Sequence, residues 1–496
     1  MMDPKDRGRD RTLWSVVAVV AILCAALSFV APSAYAQDSK AETQRYFSIF
    51  QSAFNFILDN YVDVVDPRVL YEGAMQGMFD SLGDPYSVFL TDAMMNDLSD
   101  TTTGKFGGIG LYISKPLPDP KRPDRRLFVE IVSPIEDTPG WRAGIMPGDQ
   151  ITHIDGEPTE PLSMDDVLKR LRGEPGSTVT ITILRGTALV FDEKITRAMI
   201  EVPTVKYAML PNKTGYLRII EFTPQTLPRV KDALEWLEAQ EYASLVVDLR
   251  NNPGGLLQSV IQVADLFLER GIIVSTKSRN RYENAVYQAK PDIVVPAAMR
   301  VVVLINKGSA SASEILAGAL KDQKRAYTIG ENSYGKGSVQ QVLPLGDTGF
   351  KLTMSRYYTP SDANIDKVGI APDLEVKEPV LTPEEEASLS SLIERDVFAA
   401  FAASNPNASP AQIDQYVKGL RSAGSPVSER VLKKLIRNQL EKTSIGPVFD
   451  LEYDLQLNAA IETLAEPDFS GMVSRALSVK DVQTAAETAA LTASGK

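Results

Sequence analysis

A chain of 496 residues, 44% of them hydrophobic, is long enough for more than one packed core. Its formal net charge of −12 disfavours a nucleic-acid binder, which needs a basic face to meet phosphate. A single histidine, His153, and a single cysteine, Cys24, exclude a multi-histidine or cysteine-rich metal site within one chain and force any Ser–His–Asp triad to use His153.

Residues 1–36 read as a signal peptide. Lys5, Arg7, Arg9 and Arg11 precede an uncharged apolar run, Leu13 to Val30, and Ala34-Tyr35-Ala36 is a small-x-small cleavage pattern. The expected product is exported and periplasmic. Left uncleaved, the run is close to the roughly 17–25 residues that span a bilayer and would be an inner-membrane anchor. Cleavage removes Cys24, so the mature chain folds without disulfides and without a Cys–His pair.

Residues 37–103 form an N-terminal helical segment. Tyr46, Phe47, Phe50, Phe54, Ile57 and Leu58 recur at helical spacing, and this stripe is expected to be core. Gly83-Asp84-Pro85-Tyr86-Ser87 reads as a turn. Residues 104–200 change to short strands punctuated by glycine and proline, with a helical stretch from Met164 to Leu171. Lys115 to Arg126, rich in Pro, Asp, Lys and Arg, reads as an exposed loop. His153 falls in a strand, Gln150 to Ile154, as a structural or surface residue.

Residues 201–380 alternate strands and helices, the pattern of an α/β core. Gly215 to Ile220 is a strand. Thr223-Pro224 supplies an N-cap and a first-turn proline for a helix to about Glu241. Leu245 to Leu249 is a buried-type strand running through Asn251-Asn252-Pro253-Gly254-Gly255 into a helix, Leu256 to Leu268. Val301 to Ile305 is another apolar strand. Residues 381–496 read as helices with loops near Ser404–Ser409 and Ser422–Ser428, and the final Ala/Thr-rich stretch is expected to fray. Dimerisation, holding an adaptor and covering an apolar face are all open roles for this region.

Three segments carry chemistry. In Ser309-Ala310-Ser311-Ala312-Ser313-Glu314 a buried strand turns into a helix start. Backbone N–H groups and the helix dipole there favour a developing oxyanion, although spacing does not choose among the three serines. In Gly335-Lys336-Gly337-Ser338-Val339-Gln340 a lysine sits between glycines, and an extended chain puts Lys336, Ser338 and Gln340 on one face. A lysine acts as general base only when neutral, which requires its pKa to fall from about 10.4 by roughly 3 units through burial. Glycines in Asn252-Pro253-Gly254-Gly255, at a strand–helix junction, can aim N–H groups at an anion.

These segments occur in order with Phe106-Gly107-Gly108-Ile109-Gly110, Tyr358-Thr359-Pro360 and Gly369-Ile370-Ala371-Pro372-Asp373. Over roughly residues 40–380 the chain resembles the C-terminal processing peptidases, the tail-specific serine proteases. The resemblance implies a crotonase/Clp-like α/β protease core (201–380) with an inserted PDZ domain (104–200), between helical N- and C-terminal segments. It implies Ser311 as nucleophile, Lys336 as general base, Gln340 positioning Lys336, and an oxyanion hole from Ala312 with Gly254 or Gly255. Gly108, Ile109, Gly110 and Leu111 become the loop that binds a substrate's terminal carboxylate. Arg172 becomes a candidate link between the PDZ module and the catalytic site. The implied reaction needs no metal or cofactor and acts on proteins with accessible C-terminal tails; an adaptor protein and further copies in a homo-oligomer are the other candidate partners, and the sequence decides neither. Asp362-Ala363-Asn364-Ile365-Asp366 departs from the family pattern, which puts local contacts or substrate preference in question. A PDZ-bearing binding protein with an inactive core and a crotonase-like thioester enzyme are the rival readings. The intact Ser311, Lys336 and Gln340 disfavour the first, and the export signal disfavours the second.

Overall fold

The computed structural model describes residues 41–92, 94–95, 105–115, 127–135, 138–146, 148–186, 189–440 and 448–494. The signal-peptide reading (1–36) and residues 116–126 of the charged insert lie outside them. One compact unit ends at Thr91, and a second begins at Asp92.

The first unit contains a helix over residues 41–60 and a second, Pro67–Asp80. Asp66 caps the second by accepting the Arg68 N–H at 2.8 Å, with proline in the first turn. The turn at 84–87 is tied by Asp84, which accepts the Tyr86 N–H and the Ser87 hydroxyl. The aromatic stripe is not core: Tyr46 is 62% and Phe47 65% exposed, and Phe50 and Ile57 are exposed too. Phe47, Phe50 and Phe54 meet each other along the helix, with ring centroids 6.4 and 6.2 Å apart. Helical spacing identifies an apolar face, but it does not say what covers that face.

In the second unit, residues 105–201 build an antiparallel sheet ordered Leu111–Ser114, Val129–Pro134, Gln150–Ile154, Thr178–Arg185, Leu189–Thr196. Alternate residues Val179, Ile181 and Ile183, with Ile151 and Ile154 on either side of a register shift, point inward onto the helix Met164–Leu171. Ser163 caps that helix, as its hydroxyl accepts the Asp166 N–H. Lys105–Gly108 pairs with Ala198–Glu201 at the module's edge. His153 lies in its strand with Nδ1 3.0 Å from Thr152 Oγ1.

The core sheet runs Val205–Leu210, Thr214–Ile219, Ser244–Asp248, Arg300–Ile305, Tyr327–Gly330, Leu374–Glu375, with all pairings parallel after the first. Both faces are covered, so its strands are continuously apolar. Leu245, Val247, Val301, Val303 and Ile305 pack on helices Thr226–Ala239, Leu257–Asp265 and Ala312–Asp322. Val246, Val302 and Leu304 pack on the C-terminal helices Leu455–Ala465 and Phe469–Arg475. Covering an apolar face is therefore one task of the C-terminal region.

Three expectations change, the first being that the helix expected over Leu256 to Leu268 runs Leu257–Asp265. The helix expected from Thr223-Pro224 begins at Thr226, because the Thr226 hydroxyl accepts the Thr223 N–H and donates to the Glu221 carbonyl, which closes a separate turn first. The stretch expected to fray is the helix Val479–Ser494. Its first turn is held by Asp322 accepting the Val479 N–H at 2.7 Å, and by Gln483 donating to the Asn364 carbonyl.

Candidate active site

The parallel strands Ser244–Asp248 and Arg300–Ile305 end side by side, and the two loops that follow them are stitched together. The Ser309 hydroxyl donates to the Leu249 carbonyl at 2.8 Å, and the Ser313 hydroxyl donates to the Asn252 carbonyl at 3.0 Å. The Ala310 N–H donates to the same Asn252 carbonyl. Ser309 and Ser313 are fully buried. Their hydroxyls are structural, which the spacing of the three serines did not reveal.

Ser311 differs from both neighbours. It stands before the helix Ala312–Asp322 with φ 55 and ψ −114, a conformation that β-carbon-bearing residues rarely adopt, and its hydroxyl donates no hydrogen bond among the described residues. It lines a cavity of about 300 Å³ together with Gly255, Ala312, Lys336, Val339 and Gln340. Lys336 lies just before the strand Ser338–Leu345, after Gly335 at φ 89. A bulge between Val339 and Gln340 breaks strict alternation, so Val339 joins the cavity wall beside Ser338 and Gln340. Gln340 Nε2 donates to Ser338 Oγ at 2.9 Å and Thr353 Oγ1 at 3.1 Å, which fixes the amide in the wall. The Lys336 carbonyl accepts the Tyr357 hydroxyl.

The two glycines are not equivalent. The Gly254 N–H donates to Asn252 Oδ1 at 2.9 Å. The Gly255 and Ala312 N–H groups make no hydrogen bond among the described residues, and both residues line the cavity. Gly254 instead provides clearance. At φ 111, an added Cβ would stand 2.8 Å from Ser311 Cβ and 3.0 Å from the Ala312 nitrogen.

Two groups to which the sequence reading gave no role hold this geometry. Glu314 is fully buried, and its carboxylate accepts the N–H groups of Ser311 (2.8 Å), Gly335 (2.7 Å) and Lys336 (2.9 Å) and the Ser333 hydroxyl (2.5 Å). Burial pushes its pKa above the ordinary carboxylate value, against the pull of these four donors. The Ser-x-x-Glu spacing, a capping-box pattern, was the available signal. The second group is Arg250, whose guanidinium forks between Asp248 (2.6 Å) and Asp454 (2.6 Å). Burial alone would raise the Asp248 pKa, but Arg250 beside it, with the Tyr216 hydroxyl at 2.7 Å, holds it below the usual range. Asp454 lies 204 residues away in the chain, beyond the reach of any motif.

The departing segment at 362–366 touches the site through Gly337, whose N–H donates to Asp366 Oδ1 at 3.3 Å.

A second cavity of about 300 Å³ is lined by Gly108, Ile109, Gly110 and Leu111, with Tyr112, Leu168 and Arg172. The Ile109 carbonyl accepts from Gly140 and the Gly110 carbonyl from Ile135, while their own N–H groups make no hydrogen bond among the described residues. Carbonyls tied back and amides open are what a carboxylate needs. Arg172 has its guanidinium 5.0 Å above the Phe106 ring and lines this cavity rather than the catalytic one.

An α/β core with this serine-bearing cavity and a peptide-groove module defines a serine protease that carries a PDZ domain. Residues 213–376 match the model of peptidase family S41, residues 130–185 that of the PDZ domain, and residues 27–93 that of the activating protease CtpB N-terminal domain. The carboxy-terminal-processing protease of Bartonella bacilliformis is 38% identical over 368 residues, covering 73% of this chain and 82% of that protein. The carboxy-terminal processing protease CtpB of Bacillus subtilis is 36% identical over 352 residues, covering 69% and 70%. A solved photosystem II D1 C-terminal processing protease is 31% identical and covers 67% of this chain and 88% of its own, with a TM-score of 0.41. The chain belongs to the carboxy-terminal-processing proteases of peptidase family S41.

Proposed function

We propose that this protease cuts exported proteins near their C-terminus with a Ser311–Lys336 pair. The observation that carries the reading is the contrast among the three serines: Ser309 and Ser313 spend their hydroxyls on carbonyls, and Ser311 faces the cavity that Lys336 also lines. Neutral Lys336 takes the proton of Ser311 Oγ as Oγ bonds to the scissile carbonyl carbon. The Gly255 and Ala312 N–H groups receive the developing oxyanion. The leaving amine collects the proton from Lys336, and water then hydrolyses the acyl-enzyme. Gln340 orients the Lys336 amine without adding a charge.

The tail of the substrate docks as a strand against Gly108 to Leu111, with its carboxylate on the open amides of Ile109 and Gly110. Arg172, at the helix end in that groove, senses the docked tail. The 1–36 segment directs export to the periplasm. An adaptor delivers substrates, and the exposed aromatic face of the 41–60 helix is covered by a second copy in a homo-oligomer.

The test is cleavage of an unfolded protein with an apolar C-terminal tail. Ser311→Ala and Lys336→Ala each lose at least about 10³-fold in kcat with melting temperatures intact. Amidating the substrate C-terminus slows cleavage. A Lys336→Ala variant as active as the wild type rejects the pair, and equal rates for amidated and free tails reject the docking step.

A further inference from the structure

The catalytic cavity contains a charge for which the proton transfers above have no use. Glu221 follows the core strand Thr214–Ile219 and lines the cavity beside Phe222, Leu256 and Leu257. Its backbone is fixed, since its carbonyl accepts the Thr226 hydroxyl at 2.8 Å. Its carboxylate has no hydrogen-bond or ion-pair partner among the described residues, and it is half-buried. Burial accordingly pushes its pKa above the usual carboxylate value. A partly desolvated carboxylate without a partner is unfavourable, and a ligand that brings a cation relieves it.

The position of Glu221 says which part of a substrate meets it. Tyr112 lines the tail-binding cavity. Ile220, the residue before Glu221, donates its N–H to the Thr204 carbonyl at 2.7 Å, two residues after Val202, which lines that same tail-binding cavity. In keeping with this, burial first and then the negative charge of Glu221 raise the Tyr112 phenol. Glu221 thus stands where the catalytic cavity meets the tail-binding one. A peptide whose carboxylate sits on Ile109 and Gly110 while its scissile bond sits at Ser311 passes Glu221 with residues on the tail side of that bond.

We propose that Glu221 is a specificity-determining residue that selects a lysine or arginine on the tail side of the scissile bond. The aliphatic stem of such a residue lies along Leu256 and Leu257, and its cationic head meets the Glu221 carboxylate. The proposal rests on the Ser311 and tail-docking reading.

The test uses two peptides with the same apolar C-terminus, one carrying lysine and the other norleucine next to the cleavage point on the tail side. Wild-type kcat/KM favours the lysine peptide by about tenfold, the scale of a charge-assisted hydrogen bond. Glu221→Gln brings the ratio to about one, Glu221→Asp retains the preference, and Glu221→Lys shifts it to a peptide with glutamate at that position. A ratio that is the same in the wild type and Glu221→Gln overturns the proposal, as does a wild-type preference for norleucine. If neither peptide is cut, their dissociation constants for the same variants give the same ratio by fluorescence anisotropy. Ser311→Ala runs in parallel: persistent cleavage there rejects the Ser311 reading, while loss of cleavage there with an unmoved ratio rejects Glu221 alone.

Discussion

The Ser311 N–H donates to Glu314 Oε2 at 2.8 Å. Lys336 donates its own N–H to that same oxygen at 2.9 Å, so one buried carboxylate sets the spacing of two loops. In Glu314→Gln an amide nitrogen replaces one acceptor and opposes the surrounding N–H donors. Misplacement on this scale lowers kcat by about 10²-fold while KM changes little. Steady-state kinetics on a variant whose circular dichroism matches the wild type checks this, and an unchanged kcat contradicts it.

Glu314 also makes a pH prediction with a definite sign. Burial raises its pKa in the folded protein, so the folded state binds the proton more tightly than the unfolded state. Relative to Glu314→Gln, wild-type stability is greatest below the ordinary glutamate pKa. It falls as pH rises through the higher folded-state value and then levels off. Urea unfolding of both proteins across that window measures the difference, and a difference that grows with pH reverses the sign.

Asp454→Ala removes half of the fork that holds Arg250. Charge-assisted hydrogen bonds of this kind contribute about 1.5–3 kcal/mol each before relaxation. The variant loses stability on that scale, and kcat falls more than KM rises, because Arg250 leads directly into the loop of Gly254 and Gly255. Thermal melts paired with kinetics separate the two effects.

Gly254→Ala tests the clearance beside Ser311. The new Cβ stands 2.8 Å from Ser311 Cβ, at a φ of 111 that an alanine adopts only with strain of about 1–3 kcal/mol. Activity falls by about 10²-fold or more, and a crystal structure of the variant shows the Ser311 turn displaced.

How much of this was legible in the sequence varies by element. The helix Met164–Leu171 and the strand Gln150–Ile154 were legible to the residue, because their apolar period and flanking caps agree. The core strands were found within a residue, since strands buried on both faces are nearly continuous apolar runs. The stripe at Tyr46 and Phe47 was misjudged, because period shows a face and not its cover. Ser311 was not separable from Ser309 and Ser313 by spacing. What separates them is which carbonyl each hydroxyl reaches, and those carbonyls lie on a loop about 60 residues earlier. The Ser-x-x-Glu spacing of Ser311 and Glu314 was a local signal that the sequence reading left unused, whereas Asp454 left no local trace at all.

The Arg250–Asp454 tether has a temporal consequence. Synthesis runs from the N-terminus, so Ser311, Lys336 and the glycine loop all leave the ribosome well before Asp454 does. The fork on Arg250 closes only when the last part of the chain has folded back over the sheet. A nascent or truncated chain therefore holds the Ser311 and Lys336 loops without the brace that Asp454 gives the loop of Gly254 and Gly255. Docking of the helix Leu455–Ala465 on the sheet is thus coupled to the bracing of a loop that was synthesised about 200 residues earlier.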